Sequence, residues 1–453
     1  MKKTLSYFLA LCCACSTLIL PACNSGQTAG KSKEGVLRIA SWDEYIDMGG
    51  EDSYYDENSR PLYEEFEDWY FETYQKHISV EYVALQDNET MYNKIKMGDY
   101  YDLLCPSEYM IMKLATEDYI QTLPQSLFDE SNPNNYYVKN LSPFIKQTFE
   151  NGKMRNGKSW SEYAAGYMWG STGFVFNPEK IGNSVEESRK IMGSWNALAN
   201  PACTRKITAK DNARDSYFMG LGMYFEEELL ALKEQYNSGL VSRENYRKIL
   251  EEDTMNNVKD KTILGVKKCL ESMRKNLYGL ETDEGKLDVI MGRLDASFQW
   301  SGDAVYILDQ AEEISNLKLE YRVPEAASNL WFDGWVLMKD SKNVDAATAF
   351  INFLSMQENV VRNMYYIGYT SCIAGDEVFS YLQDQYGDEE GDTSYDLSYF
   401  FGENYLLQTN EESTRRQLFA QYPDKTTIDR LVVMKEFDKS TNEKVNRMWN
   451  NIK

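Results

Sequence analysis

Apolar and polar positions fall into a regular order from residue 36 onward. Val36-Leu37-Arg38-Ile39-Ala40 predicts a strand that leads into the polar and aromatic stretch Ser41-Trp42-Asp43-Glu44-Tyr45. Pro61 suits a first helical position, and Leu62, Phe66, Trp69 and Tyr70 follow at helical spacing. Residues 78–83 alternate as a second strand. Asn88-Glu89-Thr90 opens a helix carrying Met91 and Ile95. Residues 101–106 predict a short buried strand, followed by Ser107-Glu108-Tyr109 and a helix to about Asp118. This βαβαβα alternation predicts an α/β lobe with a largely parallel sheet. In such sheets ligands bind beyond the carboxyl ends of the strands, where 41–45 and 107–109 lie.

Further along, residues 167–177 form a long apolar segment with two glycines, suited to crossing between lobes. Ser194-Trp195 predicts a helix start. Lys206-Ile207-Thr208 predicts a strand ending in Ala209-Lys210-Asp211-Asn212-Ala213-Arg214-Asp215, then a helix with Tyr217, Phe218 and Leu221. Residues 225–277 read as charged helices, 297–303 as another strand exit and 345–366 as one long helix. Residues 384–397 read as a loop and 442–453 as a terminal helix. Ser328-Asn329-Leu330-Trp331-Phe332-Asp333-Gly334-Trp335 sets one aspartate between two indoles at a predicted strand end.

The length of 453 residues exceeds one ordinary core, so two lobes are expected. Lys2 and Lys3, then an apolar run from Tyr7 to Leu20, have the layout of a signal peptide over residues 1–22. It ends in Leu20-Pro21-Ala22-Cys23, which looks like a lipobox, so lipid on Cys23 and a tether over 23–34 are expected. Removing residues 1–22 leaves 46 basic against 71 acidic side chains, a net charge of −25. Nucleic acid, which demands a basic face, is excluded as a partner; a cationic ligand is compatible. His77 is the single histidine, which excludes a Ser–His triad elsewhere and multi-histidine metal centres. No metal or cofactor is expected. Cys105, Cys203, Cys269 and Cys372 have neither metal-finger nor redox-motif spacing, and the sequence leaves their pairing open.

Four stretches share one character: Trp42-Asp43-Glu44-Tyr45, Asn212-Ala213-Arg214-Asp215, Trp300-Ser301-Gly302-Asp303 and Trp331-Phe332-Asp333. Each joins an acid to an aromatic or polar group. A carboxylate neutralises a cation, and an indole or phenol face attracts the same cation while covering methylenes, worth about 0.5–2 kcal/mol per ring.

With Asn88-Glu89-Thr90-Met91-Tyr92, Tyr101-Asp102-Leu103, Pro106-Ser107-Glu108-Tyr109, Tyr167-Met168-Trp169-Gly170 and Ile367-Gly368-Tyr369 between and around them, the ordered set resembles the extracytoplasmic polyamine-binding proteins of spermidine and putrescine ABC importers. The resemblance covers roughly 35–220 and 288–380. It implies an α/β type II periplasmic-binding-protein fold whose two lobes close over ligand. The expected division is 35–174 and 330–378 for one lobe, 175–329 and 379–453 for the other. It further implies a lipid-anchored, extracytoplasmic binding protein, not an enzyme, that delivers polyamine to ABC permease subunits; we expect a monomer. Its pattern places Trp42, Tyr45, Ser107 and Tyr109 on one wall, Asp215 opposite, and Trp300 along the methylenes. Trp331 and Asp333 match the aromatic and the principal ammonium-binding carboxylate, and Tyr369 a lining tyrosine. Asn212 stands where some relatives have an acid and Asp43 where some have threonine. Asp303 suits a further ligand or a helix cap, and Met434 falls near a glutamine of some relatives. These departures leave putrescine against spermidine open. The stretches 225–275 and 380–420 have no counterpart.

Two readings of other classes stand beside it. An exported glycosidase-like hydrolase would need two carboxylates at a fixed spacing. A binding protein for a basic amino acid would need an arginine for the α-carboxylate, for which Arg214 is the candidate; Arg214 otherwise reads as a structural salt-bridge former.

Overall fold

The computed structural model describes residues 31–281 and 285–453; the expected signal peptide, Cys23 and most of the tether lie outside them. The strands that build the framework are β1 (Val36–Trp42), β2 (Ser79–Leu85), β3 (Leu103–Leu104), β4 (Ile120–Gln121), β5 (Ala164–Phe176), β6 (Ile207–Lys210), β7 (Gly279–Glu281), β8 (Ala296–Trp300), β9 (Glu320–Arg322) and β10 (Ser328–Met338). They run in the order β2-β1-β3-β10-β5-β8-β6-β7. β1 is parallel to β2 and β3, as the βαβ alternation predicts. β10 enters antiparallel between β3 and β5.

β5 belongs to both halves. Its first residues, Ala164 to Ser171, pair with β10, and Thr172 to Phe176 pair with β8. All thirteen residues are buried, which explains an apolar run without alternation. Met168 and Trp169 join one core with Leu37, Phe66, Leu103, Trp335 and Phe350. Phe174 and Phe176 join the other with Trp195, Phe218, Val266 and Phe298. β10 also links the halves, because Ser328 and Asn329 pair with Leu431 and Val432 before the strand reaches β5. The chain thus crosses more than once, on strands rather than loose linkers.

Several local expectations are corrected. Trp331-Phe332-Asp333 lies in the middle of β10, not at a strand end. The stretch 345–366 is two helices, Val344–Leu354 and Gln357–Ile367. The break is stabilised by side chains: the Ser355 hydroxyl donates to the Ile351 carbonyl at 2.7 Å and the Asn359 amide to that of Phe353 at 2.8 Å. Pro61 caps its helix (Leu62–Tyr74) rather than beginning it. Ser194 caps a 3₁₀ turn, Trp195–Ala199. Within 384–397 the helix Asp376–Tyr386 ends and a strand, Thr393–Asp396, pairs with Leu406–Thr409. Cys105, Cys203, Cys269 and Cys372 are free thiols; Cys105 and Cys372 lie in one core, while Cys203 lies in the other with Cys269 packed against it.

The loop after β1 is held by one buried arginine. Arg362 donates from Nε to Asp47 at 2.7 Å, from Nη1 to Glu65 at 2.7 Å and from Nη2 to the Arg60 carbonyl at 3.1 Å. Asp47 also accepts from the Gly49 N–H and the Ser53 hydroxyl. We expect Arg362→Met to cost about 3–5 kcal/mol, because Asp47 is left buried without its cation. A urea titration should show a lower midpoint at unchanged slope; a change within about 0.5 kcal/mol would mean that the pair does not hold this loop.

Candidate functional site

Asp333 is 5% exposed, in mid-strand. Asp333 faces Met168 across the ladder and Gly334 faces Gly166, so Tyr167 is an extra residue on β5. Such a bulge re-aims side chains beside it. The freed Tyr167 hydroxyl donates to the Tyr45 carbonyl at 2.9 Å. Three neutral donors surround Asp333. Trp42 Nε1 donates to Oδ2 at 3.0 Å and the Tyr45 hydroxyl to the same oxygen at 2.7 Å. The Ser107 hydroxyl is a third. Between Trp42 and Tyr45, Glu44 takes a left-handed conformation (φ 50°), which turns both rings to the same carboxylate. Ser107 caps the helix Glu108–Thr116. Asn88 Oδ1 accepts the Ser107 N–H at 3.1 Å and its Nδ2 donates to Ser107 Oγ at 3.0 Å. With its oxygen already accepting, Ser107 has its proton to give to Asp333.

Aromatic rings continue from this point. Tyr45 packs edge-on against Tyr167 and Tyr369, at 5.6 and 5.7 Å between centroids. Trp331 lies 5.3 Å from Tyr369 and donates through Nε1 to the Ser171 carbonyl at 3.0 Å. Gly302 allows this approach, since a Cβ there would fall 1.6 Å from the Tyr369 ring. The Tyr369 hydroxyl donates to Asp303 at 3.1 Å and so joins the Asp333 group to the opposite wall.

That wall comes from β6, β8 and the helices after them. Asp303, in the first turn of the helix Ser301–Ser315, is held by Lys286 at 2.7 Å and Lys210 at 3.2 Å. Lys210 is 1% exposed, lies 3.7 Å from Glu281, and sets its ammonium 4.2 Å from the Trp300 ring centroid. Asn212 caps the helix Ala213–Asn237: its Oδ1 accepts the Asp215 N–H at 2.7 Å while its amide donates to the Asp215 carboxylate. Trp300 is a second donor to Asp215. Tyr109 donates to Glu89 at 3.3 Å and faces the Arg214 guanidinium at 5.1 Å.

The acids divide into two kinds. Burial pushes Asp333 above the usual carboxylate range, its three donors opposing. Burial likewise raises Glu108, with Asp333 adding to the effect, and raises Asp215 against the pull of Asn212 and Lys210. Burial acts to raise Asp303 too, but Lys210 and Lys286 hold it below its ordinary value. Among the described residues, no lysine or arginine lies within salt-bridge distance of Asp333 or Asp215. The arrangement can therefore attract and cover a cation.

Trp42, Tyr45, Ser107, Trp331, Asp333 and Tyr369 are thus brought together, and Asn212, Asp215, Trp300 and Asp303 form the facing group. Asp43 is exposed and, among the described residues, accepts from the Glu44 N–H alone, at 3.2 Å. Arg214 is corrected: among the described residues it forms no ion pair, but lies 3.6 Å from the Phe437 ring centroid and donates to the Lys435 carbonyl. Met434 is buried in the second core. The residues that sequence reasoning missed are Glu108, Lys210, Glu281 and Lys286. In the sequence Lys210 is only a lysine closing the short strand Ile207–Lys210, a position that suits a solvent-facing side chain equally well. Among the described residues, no helix is long and apolar enough to cross a membrane.

Residues 63–375 match the model of the bacterial extracellular solute-binding protein family, more than half of the chain, and the chain belongs to that family. Among its relatives, the spermidine/putrescine-binding periplasmic protein of Salmonella typhimurium is 25% identical over 329 residues, covering 72% of this chain and 74% of that protein. The putrescine-binding periplasmic protein SpuD of Pseudomonas aeruginosa is 23% identical over 342 residues, 74% and 78% of the two chains. The solved substrate-binding protein PotD of a Streptococcus pneumoniae spermidine/putrescine ABC transporter aligns with a TM-score of 0.59 at 24% identity, over 92% of this chain and 98% of that one. The expected two-lobed type II fold is therefore the observed one.

Asp333→Asn keeps an acceptor for Trp42 and Tyr45, presents an amide to Ser107, and removes a buried charge beside Glu108. We expect it to raise the melting temperature of the ligand-free protein, by about 1–2 kcal/mol of stability at neutral pH. The sign follows from the raised native value. The penalty of the wild-type carboxylate is absent below the unfolded-state pKa and complete above the native one. The gain should thus vanish in acid. A lower melting temperature at pH 7 would make Asp333 a structural acceptor instead.

Proposed function

We propose that this chain captures a polyamine, putrescine or spermidine, between its two lobes and delivers it to the permease of an ABC importer. The carrying observation is Asp333: a buried carboxylate bonded by neutral donors, flanked by Trp42, Tyr45 and Trp331, and lacking an internal cation among the described residues. A buried charge in that state is costly until a cation arrives. Tyr369 and Trp300 offer ring faces for the methylenes between ammonium groups, and Asp215 is the acid for the far end. The names of the relatives support the same ligand class. Lobe closure excludes water, strengthens the charge pairs and creates the shape that a permease reads. The protein acts outside the cytoplasm as a monomer, held to the membrane by lipid on Cys23, and performs no chemistry on its ligand.

Isothermal titration against putrescine, spermidine and a neutral sugar tests this reading. Heat is expected from a polyamine and not from the sugar; the reverse would end it. Asp333→Ala should abolish binding while leaving the far-ultraviolet spectrum unchanged. Because burial raises Asp333, affinity should fall with pH already above the ordinary carboxylate range, as the apo carboxyl takes up a proton that the ligand must displace. A pH-independent affinity from neutral down to about pH 4, the ordinary carboxylate pKa, would remove Asp333 from the ligand's charge partners.

A further inference from the structure

The group of acids and rings to which we assign cation binding also holds a buried lysine. Lys210 is the last residue of β6, and its ammonium stands over the Trp300 ring at 4.2 Å, 3.2 Å from Asp303 and 3.7 Å from Glu281. Ring face plus carboxylates is the environment that suits a ligand ammonium in this cleft. Lys286 adds a second cation to Asp303 at 2.7 Å, and Tyr369 takes up the same oxygen. Asp303 is therefore neutralised from within. Among the described residues, the cleft acids without a salt bridge that remain for ligand are Asp333 on one wall and Asp215 on the other; Glu108, 2% exposed, stands behind Asp333 and takes the Phe332 N–H at 3.4 Å.

We propose that Lys210 is a tethered stand-in for a ligand ammonium, and that it restricts the cleft to diamines by occupying the place a triamine's third ammonium would need. This deepens the polyamine reading and rests on it. Two acids on facing walls supply one charge partner for each of the two ammonium groups of putrescine. The additional ammonium of spermidine would have to enter beside Lys210, against Lys210 and Lys286, where among the described residues Asp303 and Glu281 already face the lysine ammonium.

The test is a calorimetric titration of putrescine and spermidine into wild type, Lys210→Met and Lys210→Arg. Wild type should prefer putrescine by about tenfold or more. Lys210→Met should gain affinity for spermidine by at least that factor relative to putrescine, and Lys210→Arg, which keeps the charge, should retain the wild-type preference. Equal or tighter spermidine binding by wild type overturns the proposal and leaves the polyamine reading intact, as does a Lys210→Met protein with an unchanged ratio. If Lys210→Met does not fold, the wild-type ratio and the arginine variant decide. Failure of every protein to bind either amine overturns the polyamine reading itself, and this inference with it.

Discussion

A carboxylate held in a protein interior by neutral donors is an unfinished electrostatic arrangement. Hydrogen bonds from Trp42, Tyr45 and Ser107 lower the cost of ionising Asp333 but do not cancel it, and its acidity stays weaker than that of a carboxylate in water. The surrounding structure serves to keep those donors in place. Ser107 is oriented by Asn88, Tyr45 is packed by Tyr167 and Tyr369, and the loop beyond Tyr45 is tied through Asp47 to Arg362. Relaxing any of these would let Asp333 find water or a nearby cation, and the pull on a ligand would fade. On the proposed reading, stability is given up at this point in exchange for affinity, a compromise common at functional sites.

The position of that carboxylate follows from the two strands that run through both halves. β5 supplies the floor from which Tyr167 bulges, and β10 carries Trp331 and Asp333 on its central residues. Their ends reach the other half, β5 by pairing with β8 and β10 by pairing at Asn329 with Val432, which lies in the second core. A change in the angle between the lobes would therefore bear on the strands that carry and flank Asp333. Ligand bound to Asp333 and to the wall of Asp215 and Trp300 would bear on both sides of that joint at once, which is the condition for coupling occupancy to shape.

Elements with a strong local period were legible in the sequence. The run of β1, β2 and their helices followed from alternation and helical spacing, and the buried crossing strand from its unbroken apolar character. What escaped was set by individual side-chain hydrogen bonds and by contacts between distant parts of the chain. The split of 345–366 depends on Ser355 and Asn359 satisfying carbonyls, which periodicity does not register. The place of Asp333 in mid-strand depends on a one-residue register shift against Tyr167. Of the candidate site, the aromatic and acidic members stood out in the sequence because their types are unusual beside apolar strands. Arg214 was misassigned because its partners, Phe437 and Tyr109, come from opposite ends of the chain and are rings rather than acids. Lys210 went unnoticed because a lysine after an apolar strand has the same appearance whether it reaches solvent or folds back onto a tryptophan.

That last ambiguity has consequences for selectivity. A tethered ammonium and a ligand ammonium have the same charge and seek the same ring face, but they compete on unequal terms. The tethered one gives up no translational freedom on binding, and its linker keeps it at an effective concentration of order millimolar or above. A free polyamine at lower concentration displaces it only by making better contacts, and Lys286 on the other oxygen of Asp303 makes those contacts worse. Charge counting in a cleft of this kind therefore has to subtract the internal pairs first. On the proposed reading, Asp303 drops out of the sum, Asp333 and Asp215 stay in it, and the separation of those two becomes the quantity that measures the ligand.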